Sequence, residues 1–152
     1  MADAPFADFE DKRWIWGTDI AQPRMLHLAL RVTDLERAVR FYTDGLGMKV
    51  LDRIRIGPRK VNLAFVGFGD YGAGGLIELA RYDEDTTSRT HGTGFDHLSI
   101  GVSDVSASVA KLESLGAEVK VRPTEYLGKG PRIAYVKDPD GNSVELIQTV
   151  RD

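Results

Sequence analysis

The chain has 152 residues, 42% of them hydrophobic and 28% charged, with a formal net charge of −3 and no cysteine. That balance supports a packed core of one domain or two small fused modules, and it offers no basic surface to nucleic acid or to an anionic membrane. Disulfides, thiolate metal sites and cysteine nucleophiles are excluded together.

The N-terminal run MADAPFADFEDKRW is acidic and lacks the apolar stretch of a signal peptide. No segment approaches the ~18 apolar residues of a membrane span, so the expectation is a soluble, cytoplasmic protein. Residues 1–22 read as an arm outside the repeat that follows. Trp14 and Trp16 there suit an arm packed on the domain surface or one bridging a dimer.

From residue 25 the pattern becomes regular. A strand is predicted at 25–32, with Leu26, Leu28, Leu30 and Val32 on one face and His27, Ala29 and Arg31 on the other. Thr33-Asp34 offers helix N-cap chemistry. Leu35, Ala38, Val39, Tyr42 and Leu46 have helical spacing, and Gly47 suits the stop. Strands are expected at about 48–56, 61–67 and 75–81. The same series recurs at 95–102 (strand), from Ser103-Asp104 to Leu115-Gly116 (helix), and at 117–122, 132–137 and 142–149 (strands), with Asp138-Pro139-Asp140-Gly141 as a tight turn.

The recurrence is a duplication at the level of residues. His27 falls on His97, Asp34 on Asp104 and Val39 on Val109. After a one-residue slip Leu46-Gly47 falls on Leu115-Gly116, then Leu63-Ala64-Phe65-Val66 on Ile133-Ala134-Tyr135-Val136 and Glu78 on Glu145. The predicted fold class is α+β: tandem βαβββ modules, about 24–82 and 94–149 within a domain at 23–152, forming a cup-shaped mixed sheet.

Each module places one histidine and one glutamate on the face turned away from its helix. Small neighbours (Ala29, Ser99, Gly101, Ser143) leave room around them. A glutamate inside an apolar strand is costly unless something partners it. Two imidazoles and two carboxylates, His27, Glu78, His97 and Glu145, form a ligand set for a borderline divalent cation. His91, in a polar loop, takes no part. The G-x-G-x-x-G run at Gly67–Gly72 precedes another strand rather than a helix, so it is a hairpin loop and not a dinucleotide site. Gly128-Lys129-Gly130 lacks P-loop spacing; it reads as a solvated loop or as a flap placing Lys129 near an anionic ligand.

The segments MLHLALRVTDLERAVRFYTDGLGMKVL, LAFVGFGD, LIELA, FDHLSIGV and IAYVKDPDGNSVELI resemble the vicinal-oxygen-chelate superfamily, and within it glyoxalase I of the compact bacterial type. The resemblance implies the glyoxalase/bleomycin-resistance/dioxygenase fold and metal ligands at His27, Glu78, His97 and Glu145. Related dioxygenases, fosfomycin-modifying enzymes and epimerases lack a glutamate at the position of Glu78. The implied reaction isomerises the methylglyoxal–glutathione hemithioacetal to S-lactoylglutathione, with a divalent cation stabilising the enediolate. Glu145 is the expected base and Glu78 the group that returns the proton.

One ion per site is implied, nickel or cobalt favoured by the short stretch between Glu78 and His97, with zinc possible. A homodimer with sites at the subunit interface is also implied, although one chain could pair its own halves. Arg31 matches a glutathione-contacting arginine, and Lys129 resembles a lysine near the glycine carboxylate. An asparagine contact that the family places shortly after the second ligand is missing; Tyr82 or Asp83 stands there. The alternatives are a related metalloenzyme acting on another thiol adduct or a small keto or hydroxy compound, of epimerase or dioxygenase type, and a metal-free binding or resistance protein.

Overall fold

The computed structural model describes residues 7–8, 25–69, 75–85, 87 and 90–148. The chain forms two compact units, residues 1–88 and 89–152, and each holds one βαβββ module. Trp14, Trp16 and most of the N-terminal arm lie outside the described residues.

In the first unit the elements are β1 (Ala7–Asp8), β2 (His27–Arg31), α1 (Leu35–Arg40, continued by a π-helical turn at Phe41–Gly45), β3 (Lys49–Ile56), β4 (Val61–Gly67) and β5 (Leu76–Tyr82). They form a five-stranded sheet ordered β1-β3-β4-β5-β2. Strand β1 belongs to the segment expected to lie outside the repeat, and it adds a short parallel strand to β3, with Ala7 opposite Ile54. In the second unit β6 (Leu98–Val102), α2 (Val105–Ser114), β7 (Glu118–Glu125), β8 (Arg132–Lys137) and β9 (Ser143–Gln148) form a four-stranded sheet ordered β6-β9-β8-β7.

Both helices start as their sequences dictate. Asp34 accepts from the Arg37 amide at 3.0 Å and Asp104 from the Ala107 amide at 2.9 Å, each satisfying an amide that the first helical turn leaves unpaired. Both end on a glycine of positive φ, Gly47 at 82° and Gly116 at 88°, a conformation that penalises any Cβ. The one-residue slip between the repeats has a local cause. The first helix carries an extra residue before its glycine and widens into the π-helical turn, so the Met48 amide reaches back to the Tyr42 carbonyl; the second stays α-helical, and its Ala117 amide reaches the Leu112 carbonyl. The insertion is absorbed without disturbing the core, since Tyr42 and its counterpart Leu112 are both fully buried.

Each helix covers one face of its sheet. Leu30, Val32, Ala64, Val66 and Leu79 meet Leu35, Ala38 and Val39 in the first core; Ile100, Ala134, Val136, Val144 and Leu146 meet Val105, Val109 and Leu112 in the second. The opposite face of the first sheet is more apolar than the expected open cup. Ile54, Ile56, Val61, Leu63, Phe65 and Ala80 cluster there with Leu51 and Tyr82, so burial on both faces fixes β4 and β5 in place.

Candidate metal centre

The first and last strands of each module are neighbours. Strand β2 pairs in parallel with β5, Ala29 opposite Glu78, and β6 pairs in parallel with β9, Ser99 opposite Glu145. In both modules the histidine lies two residues before the small residue that faces the glutamate. His97 itself stands just ahead of β6 rather than inside the predicted strand, and alternation carries it to the face of Ser99.

The result is two matching pairs. His27 Nε2 is 3.3 Å from Glu78 Oε2, and His97 Nε2 is 3.2 Å from Glu145 Oε2. An aromatic ring from the strand beyond the glutamate stands edge-on to each imidazole: Phe65 to His27 at 5.7 Å between centroids, Tyr135 to His97 at 5.6 Å. Among the described residues no cluster of three or more metal-ligating side chains occurs, so each module contributes an imidazole–carboxylate pair.

The pairs fit a divalent cation. Two donors about 2.1 Å from one ion, at adjacent corners of its coordination shell, stand about 3 Å apart, close to the separations found. The Nδ1 atom of His97 meets the Asp96 carboxylate. A carboxylate only accepts, so Nδ1 carries a proton and Nε2, on the Glu145 side, is the ring atom left to ligate. Two acceptors facing each other at 3.2 Å repel unless a proton or a cation lies between them.

The two carboxylates differ. Glu145 Oε1 accepts a hydrogen bond of 2.6 Å from the Tyr135 hydroxyl, and that bond, with burial, pushes the phenol up to about 12. Burial raises Glu78 above the ordinary carboxylate range, against the opposing pull of His27 and then Arg59.

Of the other sequence-predicted residues, Arg31 shares the His27 face but is engaged. Its Nε and Nη2 donate to Asp85 at 3.1 and 2.9 Å, and its guanidinium lies 4.1 Å from the Tyr82 ring centroid. The Tyr82 hydroxyl accepts from Arg59 at 2.7 Å. Asp83 is taken up by Arg55. Lys129 follows a turn in which Leu127 has φ 52°, in an exposed loop. Strand β4 ends at Gly67 and pairs antiparallel with the next described element, β5; Asp70, Tyr71 and Gly72 of the glycine-rich run lie outside the described residues. Asp85, Arg59, Asp96 and the hydroxyl of Tyr135 were not singled out from sequence. Only Tyr135 carried a signal there, as the polar member of the Phe65–Tyr135 repeat pair.

The profile of the Glyoxalase/Bleomycin resistance protein/Dioxygenase superfamily matches residues 24–146. The chain is 42% identical over 125 residues to the lactoylglutathione lyase of Arabidopsis thaliana, a match covering 82% of this chain and 44% of that protein. It is 37% identical over 125 residues to the lactoylglutathione lyase of Haemophilus influenzae, covering 92% of that protein. The structure of glyoxalase I from Zea mays aligns with a TM-score of 0.78 at 36% identity, covering 84% of this chain and 45% of the maize one. The chain thus spans about half the length of the plant proteins it matches and nearly all of the bacterial one.

Proposed function

The chain belongs to the glyoxalase/bleomycin resistance protein/dioxygenase superfamily, and from that premise we propose that it is a metal-dependent isomerase of the lactoylglutathione lyase type. It converts the hemithioacetal of methylglyoxal and glutathione to S-lactoylglutathione. The observation that carries this reading is the matched imidazole–carboxylate pairs, His27 with Glu78 and His97 with Glu145, at equivalent places in two modules.

A pair alone leaves most of a cation's coordination shell open, so a site takes one pair from each type of module. The reading places those modules on two chains of a homodimer with two sites, in a cytoplasmic protein. The ion, nickel or cobalt in preference to zinc, supplies Lewis-acid polarisation of the substrate carbonyl. The rest is done by side chains. Glu145 removes the C–H proton next to that carbonyl, and Glu78, whose burial favours the protonated form, returns a proton to the adjacent carbon. Arg31 and Lys129 attract the carboxylates of the thiol adduct, and Tyr82 braces Arg31.

One observation favours a second reading, in which the same chemistry acts on a different thiol adduct. Arg31 is held by Asp85 and stacked on Tyr82, the residue in the place of the expected asparagine. The test is isomerisation by metal-stripped protein reconstituted with nickel, cobalt or zinc, with glutathione against other thiols. Turnover with glutathione supports the first reading, turnover with another thiol alone the second. Turnover with none of the ions removes both.

A further inference from the structure

Phe65 lies opposite Glu78 across β4 and β5, and Tyr135 lies opposite Glu145 across β8 and β9. Both rings stand edge-on to their module's histidine, with interplanar angles of 78° and 89°. The two half-sites therefore share this ring-and-carboxylate arrangement, and within it they differ by one oxygen atom, the Tyr135 hydroxyl. That oxygen donates to Glu145 Oε1 at 2.6 Å, while Glu145 Oε2 faces His97.

We propose that Tyr135 is a positioning residue that makes the two glutamates inequivalent. It holds Glu145 as a one-oxygen ligand, with Oε1 tied and Oε2 presented, while Glu78, whose Oε2 faces His27, has no such hydroxyl on its other oxygen among the described residues. The inference rests on the reading of His27, Glu78, His97 and Glu145 as a metal site. A carboxylate that is tied at one oxygen loses little further freedom when the other binds a cation, so the tether raises affinity. The hydroxyl also restricts where Glu145 can go when it moves toward a substrate proton, since the strand and the hydrogen bond share the same anchor.

The geometry is local to each module, which makes the hydroxyl transferable. Phe65 and Tyr135 have the same cross-strand relation to their glutamates, so a hydroxyl placed on residue 65 falls within reach of Glu78. The experiment is calorimetric titration of metal-stripped protein with nickel chloride, together with the visible absorption of the cobalt-loaded protein. It compares wild type, Tyr135→Phe, and the exchange variant carrying both Tyr135→Phe and Phe65→Tyr.

Tyr135→Phe is expected to weaken nickel binding about tenfold and to alter the cobalt spectrum, with the metal-free protein still folded by circular dichroism. The exchange variant is expected to regain most of the affinity. Nickel binding by Tyr135→Phe equal to wild type, with an unaltered cobalt spectrum, would overturn the proposal and leave the metal site standing. Failure of wild type to bind nickel or cobalt at all would instead remove the reading on which the proposal rests.

Discussion

Asp85, only 3% exposed, grips Arg31 through two hydrogen bonds of 2.9 and 3.1 Å. The fork-on-fork contact fixes a guanidinium on the face that also carries His27. Replacing Arg31 with Ala leaves the buried carboxylate without its guanidinium and is expected to cost about 1–3 kcal/mol in urea unfolding. The same variant is expected to raise KM for the hemithioacetal more than it lowers kcat. Arg31→Lys restores the charge but not the fork, so it recovers only part of either loss.

Glu145→Gln keeps the shape and the strand but removes the proposed base. Turnover is expected to fall by about 10²- to 10⁴-fold, with an unchanged circular dichroism spectrum. Near-wild-type activity would show that the proton goes elsewhere. Glu78→Gln is expected to lower turnover as well and to weaken nickel binding, since it removes a proposed ligand and proton carrier together.

Burial holds the Glu78 proton more tightly in the folded metal-free protein than in the unfolded chain. The sign follows directly. Metal-free protein gains stability from this group as pH falls through its raised folded value, and a metal ion must displace that proton. Nickel affinity is therefore expected to rise with pH across that range. Calorimetry in buffers of different ionisation heat checks this, because the apparent binding enthalpy then tracks the protons released.

Tyr135 titrates at about 12, above the ordinary tyrosine range. A folded value raised in this way contributes stability below the unfolded value, and the contribution is lost as pH rises through 12. The ultraviolet difference between wild type and Tyr135→Phe is expected to show a phenolate step near that pH. A step at the value of an exposed tyrosine would mean that the bond to Glu145 does not persist in solution.

In the turn before β9 one side chain reinforces the backbone bonds from the Asp138 amide to the Asn142 carbonyl and from the Gly141 amide to the Asp138 carbonyl. Asp138 Oδ1 accepts from the Asp140 and Asn142 amides at 3.0 and 2.8 Å, and Oδ2 accepts from Asn142 Nδ2 at 2.8 Å. Asp138→Ala strands these buried donors and is expected to cost about 2–3 kcal/mol. Gly141→Ala meets two obstacles, a φ of 88° and the His91 ring 3.2 Å from the new methyl group. Thermal melts read both, and activity falls with the folded fraction if the turn serves only to set β9.

The modules were legible in the sequence because their signals are local and occur twice. Asp34 and Asp104 cap helices, Gly47 and Gly116 end them, and alternation puts His27 and Glu78 on one face. The π-helical turn left a trace too, as the one-residue slip before Gly47. Other features left none. Asp85 reaches Arg31 across a long stretch of chain, and a carboxylate after a strand end looks like any solvated residue until the backbone brings it inward. The apolar cluster around Ile54 and Phe65 was hidden for a related reason, because alternation separates two faces but does not say that both are covered. The extra strand at Ala7–Asp8 is too short to carry a period.

In each module the first strand lies beside the last, and its imidazole–carboxylate pair straddles that seam. Neither strand can hold an ion alone, and in sequence the two are separated by a helix and two further strands. An ion bridging the seam would then serve as a receipt for completed folding, rewarding the finished module and leaving a partly threaded one with nothing to grasp.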